Sequence, residues 1–230
     1  MIEPLERPRN AMILAAGRGE RMRPVTDHTP KPLLEVRGKP LIQYHIERLA
    51  HAGIVEIVIN LAWLGSMIRD YLGDGSRFSV RIEYSEETPR ALETAGGIFR
   101  ALPRLGPAAF LVLNGDVFTD YPLAHAALAP NREAHLVLVP NPPQHPVGDF
   151  GLEHGLAVPS APSQYTFSGI GVYRPEFFAH CVDGAFPLKP LLLRSMAARR
   201  CSAELYTGIW DDVGTIDRLK ALNALNAPMR

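Results

Sequence analysis

No apolar run in this 230-residue chain approaches the roughly 20 residues that a membrane-spanning helix needs, so no membrane partner is expected. Net charge is also missing: 24 lysines and arginines balance 24 aspartates and glutamates. That balance excludes a whole-protein field for nucleic acid or anionic lipid, and a polyanionic ligand must be met by a local basic site. Only two cysteines occur, Cys181 and Cys201, without CxxC spacing, and the eight histidines are scattered. A disulfide framework and a zinc site of Cys/His type are therefore not expected, and the free thiols suit a reducing cytoplasm. Residues 1–9 contain no apolar stretch of the secretory kind and read as a loose extension. Repeats, low-complexity tracts and interdomain linkers are absent as well. Residues 1–230 read as a single domain, with the proline-rich stretches 140–146 and 159–162 as loops within it.

What is present is an alternation. Residues 11–16, 54–60, 80–84 and 110–113 are short apolar runs that read as buried strands. Between them, residues 40–51, 63–72 and 94–102 carry apolar positions at helical spacing, with Gly53 and Gly73 as stops. This order predicts an α/β fold with a mainly parallel sheet. Farther on, residues 135–139, 150–152, 166–173 and 203–210 read as strands. Phe177 and residues 188–198 fall in helices, and residues 215–225 form a closing helix.

The first strand runs into Leu14-Ala15-Ala16-Gly17-Arg18-Gly19-Glu20-Arg21-Met22-Arg23. Glycines let backbone N–H groups approach a phosphate, and the carboxyl edge of a parallel sheet is where such a ligand sits. Arg18, Arg21 and Arg23 crowd the same segment, and Lys31 follows between two prolines that restrain it. Met22 stands where GxGxxG requires its third glycine, and GxxxxGK[ST] does not occur, so neither the dinucleotide nor the P-loop fingerprint applies. Gly17-Arg18-Gly19 alone is compatible with a solvated turn. The adjoining cations favour phosphate.

Two aspartates also lie at strand ends, in Asn114-Gly115-Asp116 and Trp210-Asp211-Asp212-Val213-Gly214-Thr215. In isolation each suits a turn or a helix cap. Together with phosphate oxygens they would make a hard-oxygen site of the type Mg2+ accepts.

Leu14-Ala15-Ala16-Gly17-x-Gly19-x-Arg21-Met22, followed by Lys31-Pro32-Leu33, resembles the signature of the sugar-1-phosphate nucleotidyltransferases, and the likeness extends from about residue 10 to residue 225. The resemblance implies a Rossmann-like nucleotidyltransferase (GT-A-like) fold, three-layer α/β/α with a mixed central sheet. It implies an enzyme that joins a nucleoside triphosphate to a sugar 1-phosphate and releases pyrophosphate. Leu14, Ala15, Ala16, Gly17, Gly19, Arg21, Lys31, Thr94 and Gly115 would bind the nucleotide, with Arg21, Lys31 and Asp116 in the catalytic role. Asp116 and Asp212 would hold Mg2+, Asp211 being structural or solvent-facing. Glu93, Gly97, Asn114, Asp149, Ser168 and Gly169 would meet the sugar phosphate.

Asn60-Leu61-Ala62-Trp63-Leu64-Gly65 and Leu92-Glu93-Thr94 bring the likeness nearest to short bacterial uridylyltransferases of peptidoglycan recycling. UTP and N-acetylmuramate 1-phosphate are then the expected substrates. Glucose or mannose 1-phosphate, phosphocholine with CTP, and a non-catalytic sugar-nucleotide sensor stay open. Two departures stand out. Many relatives carry Gly-Thr where this chain has Glu93-Thr94, and the Glu-Lys-Pro segment that supplies a lysine to the sugar phosphate has no counterpart here. Few residues follow Asp212, so the β-helical acyltransferase domain that some relatives carry is not expected. The sequence leaves oligomeric state unassigned.

Overall fold

The computed structural model describes residues 4–88 and 91–224. In chain order the strands are β1 (Asn10–Leu14), β2 (Glu35–Val36), β3 (Lys39–Pro40), β4 (Glu56–Leu61), β5 (Arg81–Glu86), β6 (Phe110–Asn114), β7 (Val117–Thr119), β8 (Ala134–Val139), β9 (Phe150–Glu153), β10 (Leu156–Val158), β11 (Gln164–Tyr173), β12 (Cys201–Leu205) and β13 (Trp210–Asp212). The helices are α1 (Leu41–His51), α2 (Gly65–Leu72), α3 (Glu93–Leu105), α4 (Lys189–Ala197) and α5 (Ile216–Ala224).

Nine strands form one mixed sheet in the order β5-β4-β1-β6-β11-β8-β12-β10-β9. β5, β4, β1 and β6 run parallel, and β11 enters antiparallel beside β6. Because strand side chains alternate, each strand feeds two cores. Ala11, Ile13, Ile57 and Leu111 pack with Ile42, Ile46 and Leu49 of α1 and with Ile68 and Leu72 of α2. Met12, Val58, Phe110 and Val112 pack on the opposite face with Ala95, Ile98 and Leu105 of α3 and with Leu192 and Met196 of α4. The result is the expected three-layer α/β/α fold. A third, smaller core joins Met22, Leu41, Phe118, Val213 and Leu222.

Three expectations need correction. The helix expected to end at residue 102 continues through Pro103 to Leu105. Pro103 sits exposed in the last turn, Leu105 is drawn into the core, and Gly106 (φ +80°) ends the helix. The strand expected over residues 203–210 is two strands. They break because Asp120 accepts hydrogen bonds from the Tyr206 hydroxyl and, at 2.7 Å, from the Ile209 N–H, which folds residues 206–209 into a turn. The closing helix is described from Ile216 to Ala224, and Leu225 lies outside the described residues.

The N-terminal extension is not loose where it is described. The Glu6 backbone pairs with Leu128, while its carboxylate accepts the Ala109 N–H at 2.8 Å and the Arg174 guanidinium at 2.6 Å. These contacts hold the Glu6 carboxyl below the usual carboxylate range, the Ala109 hydrogen bond contributing most. Because the folded value lies below the unfolded one, the contribution is complete above about pH 4.5 and fades as pH falls through the folded value. Half-exposed as it is, the group is worth about 1 kcal/mol after solvent screening. Glu6→Gln should therefore lower the thermal midpoint by about 2–4 °C at pH 7, with the gap to wild type closing as the pH is taken below 4. A gap that is independent of pH would show that the charge is not what anchors the segment.

Candidate active site

The parallel strands end on one side, and their register decides what meets there. Leu14 at the end of β1 pairs with Asn60 of β4 on one flank and with Asn114 of β6 on the other. Polar residues thus cap apolar strands along one carboxyl edge, the usual ligand edge of an open α/β sheet. Asn60 Oδ1 accepts the Ala15 N–H at 2.7 Å, and its Nδ2 donates to Glu87 Oε1 at 2.6 Å. Glu87 Oε2 then accepts the Leu92 N–H at 2.7 Å. Glu87 is only 2% exposed, so this relay both satisfies a buried carboxylate and ties the loop after β1 to the start of α3. Above it opens a cleft of about 270 Å3, lined by residues 14–17, Lys31, Glu93, Thr94, Asn114 and Asp116.

Lys31 begins a 3-10 turn between Pro30 and Pro32 and is 8% exposed. A buried ammonium needs a counter-charge, and the Asp116 carboxylate supplies it as a direct ion pair. Gly19 adopts φ +69° and lies against Thr26, whose hydroxyl donates to Gly19 O at 2.9 Å. A side chain there would collide with Thr26. The three arginines of this loop have separate fates. Arg23 pairs with Asp27 at 2.9 Å. Arg18 lies 4.1 Å over the Trp63 ring, and that indole donates to Thr26 O. Arg21 has no hydrogen bond or ion pair with any described residue and lines the cleft beside Lys31 and Asp116. Of the basic run, Arg21 is the cation left for a ligand.

β7 and β13 pair antiparallel, with Asp212 opposite Val117, and Val213 N–H donates to Asp116 O at 2.9 Å. Two aspartates far apart in sequence thus become backbone neighbours, and both line one recess together with Arg21, Asn114 and Gln144. Asp212 is ion-paired with Arg218 of α5 and accepts Gln144 Nε2 at 3.0 Å. Asp211, half-buried, has its carboxyl raised mainly by burial. Under the pair, His45 is fully buried, and desolvation pushes it down to about 4, so it adds no charge near Asp116 at neutral pH.

Among the described residues no three His, Cys, Asp or Glu converge on one point. A divalent ion here would take two carboxylates and complete its shell with ligand phosphates and water, which suits Mg2+. The donor set fits: two hard-oxygen carboxylates, each now neutralised by a cation, Lys31 and Arg218.

The other end of the cleft is walled by Thr94, Asn114, Asp149, Phe167 and Lys189. Asp149 Oδ2 accepts the Phe167 N–H at 2.9 Å, and Oδ1 lies 3.3 Å from His145 Nε2. Ser168 lies at the bulge between Phe167 and Ile170. Its hydroxyl is spent on Ile170 N–H at 3.2 Å and its carbonyl on the Trp210 indole at 2.9 Å.

Three expected contact residues take a different place. Gly97 is buried in α3, where the missing Cβ makes room for the Glu87 carboxylate. Gly115 lies against Leu14 O, 2.7 Å from where a Cβ would stand. Gly169 adopts φ +78° and gives its space to Asn114. They shape the walls without lining the cleft. The sequence reading missed Asn60, Glu87, Gln144, Arg218 and Lys189. A polar residue directly after Ile57-Val58-Ile59 was the available signal for Asn60. Arg218 had none, since its partner is set by the tertiary fold.

Residues 10–154 match the family model described as nucleotidyl transferase. The chain is 54% identical to the N-acetylmuramate alpha-1-phosphate uridylyltransferase of Neisseria meningitidis serogroup B, across 94% of this chain and 97% of that one. It is 35% identical to the protein of the same name from Caulobacter vibrioides, across 90% and 92%. Among solved structures, a Bacillus anthracis protein crystallised with sucrose and described as a candidate glucose-1-phosphate thymidylyltransferase superimposes with a TM-score of 0.82. It covers 94% of each chain at 21% identity, a likeness of fold alone.

Breaking the Asn60 relay tests whether it holds the loop. Asn60→Leu leaves the Ala15 N–H and one Glu87 oxygen buried without a partner, at a cost of about 2–3 kcal/mol. The thermal midpoint should fall by roughly 4–12 °C. An unchanged melting curve would show that water replaces the amide at no cost.

Proposed function

This chain belongs to the nucleotidyl transferase family, and on that premise we propose that it transfers UMP from UTP to N-acetylmuramate 1-phosphate, giving UDP-N-acetylmuramate and pyrophosphate. Near-full-length identity to two enzymes of that name supports the choice of substrates. The catalytic reading rests on one observation: Asp116 and Asp212 are adjacent across the β7–β13 pair, with Lys31 and Arg21 beside them. The reaction would belong to peptidoglycan recycling in the cytoplasm, where UTP is found. No helix among the described residues is long and apolar enough to cross a membrane.

In the proposed reaction an oxygen of the sugar phosphate attacks the α-phosphorus, a new P–O bond forms, and the bond to the β-phosphate oxygen breaks as pyrophosphate leaves. The attacking phosphate is already ionised at neutral pH, so no protein base is needed. What the protein must supply is alignment and charge compensation. The backbone of residues 15–19 approaches the triphosphate. The Arg21 guanidinium, uncommitted in the structure, takes its outer oxygens. Lys31 offsets charge at the α-phosphate once it leaves Asp116. Asp116 and Asp212 would hold Mg2+, which would screen the phosphate charge and help orient the α-phosphorus for in-line attack. Glu93 and Thr94 border the nucleotide end of the cleft, and Asn114 stands where nucleotide and acceptor meet.

Pyrophosphate release, measured for the five common nucleoside triphosphates against a panel of sugar 1-phosphates and phosphocholine, should peak for UTP with N-acetylmuramate 1-phosphate and stop with EDTA. Asp116→Asn should lower the rate by at least about a hundredfold, with a circular dichroism spectrum like that of the wild type. Highest turnover with another pair would move the substrate assignment. Ligand binding without pyrophosphate from any pair would make the protein a sensor, and wild-type turnover in Asp116→Asn would remove the metal assignment.

A further inference from the structure

Lys189 is the one cation among the residues that wall the acceptor end of the cleft, facing Thr94, Asn114, Asp149 and Phe167. Its ammonium lies 5.8 Å from the Phe150 ring centroid and has no ion pair or hydrogen bond with any described residue. Its place is also unfavourable for α4 itself. Lys189 is the first residue of that helix, at the positive end of the dipole, and the first turn carries no acidic residue. Among the described residues the chain thus gives this ammonium no counter-charge.

The segment that carries it is well fixed. Phe186 N–H donates to Leu92 O at 3.1 Å, and Phe186 O accepts the N–H groups of Ala95 and Gly96, each at 3.2 Å. Gly96 has no Cβ, which lets the Gly184 carbonyl pack directly on α3. Lys189 follows three residues after this clamp, so its backbone is set relative to the nucleotide end of the same cleft.

The wall that holds Lys189 contains neither Asp116 nor Asp212, whereas Arg21 lines the recess that contains both. Lys189 is therefore placed for a negative charge remote from the reacting phosphates. N-acetylmuramate bears one, the carboxylate of its lactyl ether, which N-acetylglucosamine lacks. Asp149 lies in the same wall, where its Oδ2 accepts the Phe167 N–H, and it forms no ion pair with Lys189. Resting on the acceptor proposed above, we infer that Lys189 binds the lactyl carboxylate and so selects muramyl over glucosaminyl acceptors. The lysine is a specificity residue and takes no part in the bond changes.

The test compares N-acetylmuramate 1-phosphate with N-acetylglucosamine 1-phosphate in wild type, Lys189→Met and Lys189→Arg. Lys189→Met should lower kcat/KM for the muramyl acceptor about ten- to a hundredfold beyond any loss on the glucosaminyl one. The loss should lie mainly in KM, and Lys189→Arg should restore much of it. Equal losses on both acceptors would mean that Lys189 serves the shared phosphate, and no loss would mean that it faces solvent only. Either result overturns the inference. Calorimetric binding of UDP-N-acetylmuramate and UDP-N-acetylglucosamine gives an independent reading. Wild type should prefer the former and Lys189→Met should lose that preference, whereas equal affinities in wild type would defeat the role of Lys189. Absence of muramyl turnover in wild type, by contrast, defeats the proposed reaction and leaves the binding comparison to judge Lys189.

Discussion

The pairing of β7 with β13 is the constraint on which the recess around Asp116 and Asp212 depends. Three residues from each strand are enough to seat Asp212 opposite Val117 and to bond Val213 N–H to Asp116 O. Without it the two carboxylates would have no common position, because one follows a strand of the central sheet and the other precedes the last helix. The small core of Met22, Phe118, Val213 and Leu222 supports the pair from behind and ties it to the loop carrying Arg21. Burial of these apolar side chains, at about 25 cal/mol per Å2, works against the like-charge cost of bringing two aspartates together.

That cost is reduced further by how the charges are shared. Each carboxylate has its own cation, Lys31 for Asp116 and Arg218 for Asp212. A pair this close to the interior contributes little net stability, since desolvation offsets most of the attraction. Its consequence is electrostatic balance: the site stands nearly neutral, and no carboxylate is left bare. On the proposed reading, Asp116 and Asp212 would hold a divalent ion, and Lys31 would then turn from Asp116 to phosphate, so the charge that balances Asp116 would also serve the ligand. Arg21 differs, because it is uncommitted from the start.

The sequence showed this arrangement unevenly, and the reasons are physical. The parallel half of the sheet was readable because β1, β4, β5 and β6 are apolar runs between amphipathic helices. The tight loop after β1 was readable because Gly17 and Gly19 directly follow an apolar run. Long-range pairings were not. Nothing in Asp120 foretells that its carboxylate turns the chain between β12 and β13. Gly97, Gly115 and Gly169 looked like ligand contacts because they adjoin polar motif residues. In space each clears room for a neighbouring group, namely Glu87, Leu14 O and Asn114. A glycine beside a site can thus be required by the wall itself. Glu6 was invisible for a simpler reason, its partners Ala109 and Arg174 lying far along the chain.

Glu93 shows how the two ends of the cleft are held together. It opens α3 at φ +58°, a left-handed conformation that costs a residue other than glycine about 1–2 kcal/mol. Strain of that kind survives only where its surroundings over-determine it, and here they do so from both sides. Upstream, Glu87 fixes the Leu92 N–H. Downstream, Phe186 accepts from Ala95 and Gly96 and donates to Leu92 O. Glu93 is thus gripped between the buried relay that begins at Ala15 and the segment that leads to Lys189. A glycine at this position would relieve the strain but enlarge the conformational freedom of the unfolded chain and remove a carboxylate from the mouth of the cleft. Hydrogen bonds thus link the loop after β1, through Asn60, Glu87 and Leu92, to the segment that carries Lys189, and the strain at Glu93 is the local cost of that linkage.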